Sequence, residues 1–89
     1  MINKVFMIKC YQVQNYMDEP VTESLTNCPS YFKLNVTGCL KYTYFNVKTV
    51  FRACEYTSCM VQGISQKGCF NDTKKNIEKC CCTTDGCNV

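Results

Sequence analysis

The side chains best able to do chemistry in this chain are its cysteines, at positions 10, 28, 39, 54, 59, 69, 80, 81, 82 and 87. Cysteine sulfur can pair into disulfides, hold a metal as thiolate, or attack as a nucleophile. Nucleophilic use needs a free thiolate and usually a base beside it, and the chain has no histidine to serve as one. Metal use is disfavoured because paired Cys-x-x-Cys units are missing and because cysteine-rich metal carriers avoid aromatics, whereas this chain has six Tyr and five Phe. An even number of cysteines at this density in a short chain points to a disulfide framework in an oxidising compartment. The run Cys80-Cys81-Cys82, followed by Cys87, sharpens this reading. Adjacent cysteines do not readily bond each other, so each needs a different partner and the C-terminal end becomes a hub. The spacing alone leaves the pairing open.

No other residues assemble a reaction. The acids are Asp18, Glu19, Glu23, Glu55, Asp72, Glu78 and Asp85. The adjacent pair Asp18-Glu19 reads as a solvated turn. No catalytic residue, cofactor, metal site or small-molecule substrate is expected. The net charge of +3 is mild, there is one Arg and no basic block, and nucleic-acid binding has no support. No apolar run reaches membrane-spanning length. Two sequons, Asn35-Val36-Thr37 and Asn71-Asp72-Thr73, agree with a secretory route and make Asn35 and Asn71 candidate glycosylation sites. Met1–Ile8 is too short for a signal peptide and is interrupted by Lys4, so the expectation is a mature form whose precursor carried one. No lipid-anchor tail follows Cys87, and a precursor tail stays open.

The cysteines must be positioned by elements rich in β-branched and aromatic residues. Val5-Phe6-Met7-Ile8, Tyr42-Thr43-Tyr44-Phe45 and Thr49-Val50-Phe51 favour strands, and no sustained helical stripe exists. The best helical candidate is Asp72 to Lys79, opened by an Asp/Thr cap. The chain reads as one small, disulfide-rich, all-β domain over residues 1–89. Three hairpin loops (about 11–27, 40–53 and 60–79) leave a cystine-rich base, and Met1–Met7 forms an extension or first strand.

Ile8-Lys9-Cys10-Tyr11 and Cys81-Cys82-x-x-Asp85-x-Cys87-Asn88 resemble the opening and closing of the three-finger superfamily, which includes snake neurotoxins, urokinase-receptor-type domains and activin-receptor ectodomains. The triple-Cys ending and the ten-cysteine order are most similar to the nematode ET module, a secreted domain. The resemblance covers Ile8 to Asn88. One departure is Val13, where many urokinase-receptor-type domains have a further Cys. The resemblance implies a three-finger fold and the pairs Cys10–Cys39, Cys28–Cys54, Cys59–Cys81, Cys69–Cys80 and Cys82–Cys87. It also implies that Asn88 bonds into the backbone near the first strand.

The expected output is binding of an extracellular protein or cell-surface receptor. Finger two has bulky apolar residues at both parities, Tyr42, Tyr44 and Val50 on one and Phe45, Val47 and Phe51 on the other. One set is expected to pack on the sheet and the other to be exposed. With Lys48 and Arg52 nearby, the candidate contact residues are Tyr42, Tyr44, Phe45, Val47, Lys48 and Arg52. Charge is segregated: Lys33, Lys41, Lys48 and Arg52 lie between Glu23 and Glu55 with no acid among them, while finger one holds Asp18, Glu19 and Glu23. Finger three carries Lys67, Lys74 and Lys75, which a glycan on Asn71 would partly mask. Plain sheet packing explains the same aromatics, and Lys on exposed strands also blocks edge pairing. Alternative roles are a toxin-like ligand of an ion channel or acetylcholine receptor, and a growth-factor-binding ectodomain or soluble trap. Fold alone does not choose among them.

Overall fold

The β-branched and aromatic runs of the middle of the chain form a long hairpin, β4 (Gly38–Tyr44) and β5 (Thr49–Glu55), paired from Gly38↔Glu55 to Tyr44↔Thr49. The computed structural model describes residues 8–29, 35–57, 59–61, 64–65 and 68–89, with backbone alone at 60–61 and 64–65. The expected first strand within Met1–Met7, and Lys33 and Lys67, lie outside the described residues. A 3-10 turn over Phe45–Val47 closes the hairpin, and Lys48 takes the left-handed conformation (φ 51°) that lets the chain reverse. Around this hairpin a five-stranded antiparallel sheet is built in the order β2-β5-β4-β9-β8, where β2 is Val13–Tyr16, β8 is Gly68–Asp72 and β9 is Ile77–Cys82. Two short pairs complete the described strands: β1 (Lys9–Cys10) with β3 (Thr26–Asn27), and β6 (Met60–Val61) with β7 (Ile64–Ser65). The fold is all-β, and among the described residues no helix is long and apolar enough to cross a membrane.

The helix expected over Asp72–Lys79 is absent. These residues form the end of β8, a turn over 73–76 and the start of β9. The capping chemistry of Asp72 is present: its Oδ1 accepts the amides of Lys74 and Lys75, each at 3.1 Å. Asn76 then adopts φ 57°, a left-handed turn residue that ends any helical course and sends the chain back beside β8. The same side-chain acceptor serves a helix start or a hairpin turn, and pairing with β4 decides for the hairpin.

Cystine forms most of the core. Ten described apolar residues are buried, and six of them are cysteines, the others being Ile8, Val36, Leu40 and Val50. Cross-links therefore carry stability that aliphatic packing supplies in larger domains, about 2–4 kcal/mol per bridge. The bonds are Cys10–Cys39, Cys28–Cys54, Cys59–Cys81, Cys69–Cys80 and Cys82–Cys87, the pairs the resemblance implied. Gly38 sits where β4 begins against the end of β9, and a β-carbon there would strike the backbone oxygen of Cys82.

The C-terminal segment locks the sheet to the first strand. The amide of Lys9 donates to Asp85 Oδ1 at 2.9 Å, and its carbonyl accepts from Gly86 N at 2.8 Å. Asn88 is buried. Its Oδ1 accepts from Tyr11 N at 3.0 Å, and its Nδ2 donates to the carbonyls of Tyr11 at 2.9 Å and Leu40 at 3.0 Å, with Ala53 at 3.4 Å. Asn88→Ala strands these buried partners together and lowers the stability of the oxidised protein by roughly 2–4 kcal/mol in urea unfolding. Asn88→Asp, which accepts but cannot donate, lowers it at least as much.

Candidate functional site

The tips of the first loop and the second hairpin meet at one end of the molecule. The amide of Met17 donates to the carbonyl of Lys48 at 2.8 Å. On the other side of the second hairpin, Phe45 N donates to Asn76 O at 3.2 Å and Asn76 Nδ2 donates to Asn46 Oδ1 at 2.8 Å. Three tips are thus joined edge to edge by backbone and amide bonds rather than projecting independently.

Apolar side chains collect on this end. Tyr16 is 62% exposed, Val47 63%, Met17 45% and Phe45 38%. With Asp18 and Lys48 they line an open groove of about 650 Å³. A second groove of about 380 Å³, lined by Gln14, Tyr44, Val47, Thr49 and Phe51, shares Val47 with the first. Both are open and mostly apolar, and Val47 stands between them.

The residues expected to bind divide into three groups. Phe45, Val47 and Lys48 are exposed at the tip. Tyr42 and Tyr44 are half-buried on β4, their ring centroids 6.1 Å apart, and the Lys79 ammonium lies 5.4 Å from the Tyr42 centroid. Arg52 leaves the set, because it is buried. Its Nε donates to the Asn88 carbonyl at 2.9 Å and its Nη1 to Asn15 Oδ1 at 2.9 Å. Its role is to seat the C-terminal clip on β5 and β2.

The expected division of faces by odd and even numbering also fails across the turn. Tyr42 stands opposite Phe51, Tyr44 opposite Thr49, and Thr43 opposite Val50. Directly opposed residues share a face, so Phe51 joins Tyr42 and Tyr44, while Val50 lies on the other face with Thr43, and both of these are buried. Phe45 and Val47 belong to the turn and follow neither parity. Tyr16 and Met17, absent from the sequence-based set, complete the surface. Locally they read as the start of a polar turn, and only the pairing of β2 with β5 (Tyr16↔Thr49) brings them to the second hairpin.

The electrostatics are narrower than the charge pattern suggested. Lys41 Nζ donates to the Val89 carbonyl at 3.3 Å, Arg52 is buried, and Lys48 stays exposed at the tip. Glu19 Oε1 accepts the Tyr16 amide at 2.8 Å, so one acid of the Asp18-Glu19 pair holds the turn. Lys74 and Lys75 are exposed on the neighbouring turn. Asn35 and Asn71 are both exposed, and Asn71 borders a hollow that also contains Phe45.

Away from the tips, Glu55 is the one buried acid among the described residues. Burial pushes its carboxyl up, but the hydroxyl and amide of Thr57 and the Lys79 ammonium at 3.3 Å outweigh it and hold it below the ordinary value. Burial draws Lys79 down, while the Tyr42 hydroxyl and Glu55 raise it on balance. Both groups are fully engaged and tie β5 to β9. Three sets of cysteine and acid side chains lie close enough to share an ion: Cys10 with Cys28 and Cys54, Glu55 with Cys59 and Cys81, and Cys69 with Glu78 and Cys80. Every sulfur in them is disulfide-bonded, and a cystine sulfur is not the thiolate a metal needs.

No family model, curated protein or solved structure matches this chain. The division between surface and scaffold is directly measurable. Val47→Asp leaves stability within about 0.5 kcal/mol, as expected for an exposed side chain. Arg52→Ala lowers it by about 2 kcal/mol through loss of one buried and one part-buried charged hydrogen bond. Equal effects in chemical denaturation would contradict this assignment.

Proposed function

We propose that this chain is a secreted, non-enzymatic, three-finger binding module, similar to the ET module, that engages an extracellular protein or cell-surface receptor through the joined tips of fingers one and two. The observation that carries the reading is the clustering of Tyr16, Met17, Phe45 and Val47, all exposed, around one groove. Exposed large apolar residues scattered singly need no explanation, but a contiguous set at one end does. Tyr, Phe and Met with a flanking Lys form the composition of interface hot spots.

The mechanism is rigid presentation. Disulfides root each finger, and hydrogen bonds between the tips limit their independent motion. A partner meeting such a surface orders few side chains on this side of the interface, which keeps the entropic cost of binding low. Lys48 beside Asp18 supplies polar contacts at the rim that orient the partner. Both sequon asparagines are solvent-facing, which suits glycosylation in the secretory pathway. A glycan on Asn71 would flank the surface on the finger-three side without covering finger one.

The test is capture of extracellular or host-surface proteins by the oxidised domain, followed by titration of the captured partner. Phe45→Ala and Tyr16→Ala should each weaken binding by roughly 30-fold, equivalent to about 2 kcal/mol. Thr83→Ala, at an exposed site beyond β9, should leave it unchanged. Unaltered affinity in both tip variants would overturn the assignment and return these aromatics to sheet packing.

A further inference from the structure

The five disulfides are unequally protected. Cys10, Cys39, Cys28, Cys54, Cys59 and Cys81 are buried, so three of the bonds have no exposed end. Cys82 and Cys87 are both half-buried. Cys69 alone of the ten is exposed, and its partner Cys80 is half-buried. The pair bridges directly opposite positions of β8 and β9, and β8 is the edge strand of the sheet. From this geometry we infer that Cys69–Cys80 is a thiol–disulfide exchange site, open to small uncharged or cationic thiols while the other four bonds stay closed.

In the first step a thiolate attacks Sγ of Cys69, the exposed residue of the pair. A new S–S bond forms to the incoming sulfur, the Cys69–Cys80 bond breaks, and the electron pair leaves on Cys80 as thiolate, which takes a proton from water. With a dithiol as the reductant, its second sulfur attacks the mixed disulfide and releases Cys69. The dithiol is oxidised to its cyclic disulfide, and the protein gains two electrons and two protons. The hairpin survives, since Cys59–Cys81 ties its base and the β8–β9 ladder runs from Gly68↔Cys81 to Asp72↔Ile77. The bond closes a loop of sequence separation 11, so opening it frees little of the chain.

Glu78 sets the selectivity. Its carboxylate oxygen lies within 4.8 Å of both sulfurs. Negative charge spreads over three sulfurs as exchange proceeds, and a nearby carboxylate opposes an anionic attacker more than a cationic one. Lys41, which pairs with Cys80 across β4 and β9, directs its ammonium to the Val89 carbonyl. A unit charge at about 5 Å in water changes such a rate by about 4-fold.

Graded reduction with dithiothreitol, quenching by alkylation and peptide mapping test the site. The expected result is full labelling of Cys69 and Cys80 while the other eight cysteines remain oxidised and the circular dichroism is unchanged. Opening of another pair first, or of all five together, would overturn the inference. The double variant Cys69→Ser, Cys80→Ser should show no early labelling; early labelling of another pair in it would equally contradict the inference. Initial rates with cysteamine and mercaptoacetate should favour cysteamine, and Glu78→Gln should narrow that ratio by about 16-fold, the product of an about 4-fold change for each thiol. An unchanged ratio would remove Glu78 from the site.

Discussion

One buried carboxamide holds together parts of the chain that no local interaction would align. Asn88 offers an acceptor to the Tyr11 amide and donors to the carbonyls of Tyr11 and Leu40, with Ala53 within reach. For Tyr11 the side chain imitates a neighbouring strand, satisfying both backbone groups. Leu40 and Ala53 are opposed across β4 and β5, so the same group touches both strands of the central hairpin. A buried amide left without these partners would cost far more than the bonds themselves contribute, and this asymmetry makes the arrangement specific. Cys82–Cys87 closes a short loop just before Asn88, which presents the side chain already ordered. Arg52 clamps the Asn88 carbonyl from the other side.

The rest of the architecture follows from how little else is available. With cystine as most of the core, few aliphatic contacts exist to set one strand against another. Register comes instead from cross-links at the base, from the Asn88 clip, and from hydrogen bonds at the tips. The two ends of the molecule therefore have different characters. The base is dense, buried and covalent. The tip is open and rich in large, exposed apolar side chains.

Much of this was legible in the residues, and what was not depended on the geometry of one turn and on partners distant in sequence. Strand content and the cystine hub follow from local composition. The structural role of Asn88 came from the resemblance of the closing motif. The faces of the second hairpin did not follow, because the 3-10 turn pairs even positions with odd ones, moving Phe51 to the face of Tyr42 and Val50 away from it. Arg52 looked like a surface cation because its partners, Asn88 and Asn15, are distant in sequence. Asp72 carried a true capping signal whose outcome, helix or hairpin, depended on strands it had yet to meet. The meeting of Tyr16 and Met17 with the second hairpin was invisible for the same reason. Apart from the 3-10 turn, the missing information was a long-range pairing, and in this chain disulfides and the clip help to set such pairings.

Native-state hydrogen exchange on the oxidised protein tests the joined architecture most directly. The amide of Tyr11 reports the clip, and the amides of Met17 and Phe45 report the contacts between tips. If the clip and tip bonds hold the loops as one body, Tyr11 exchanges only with global unfolding, and Met17 and Phe45 are protected well above the level of exposed turns. Exchange of all three at rates typical of free peptide would mean that the loops move independently about a cystine base, and would contradict the account.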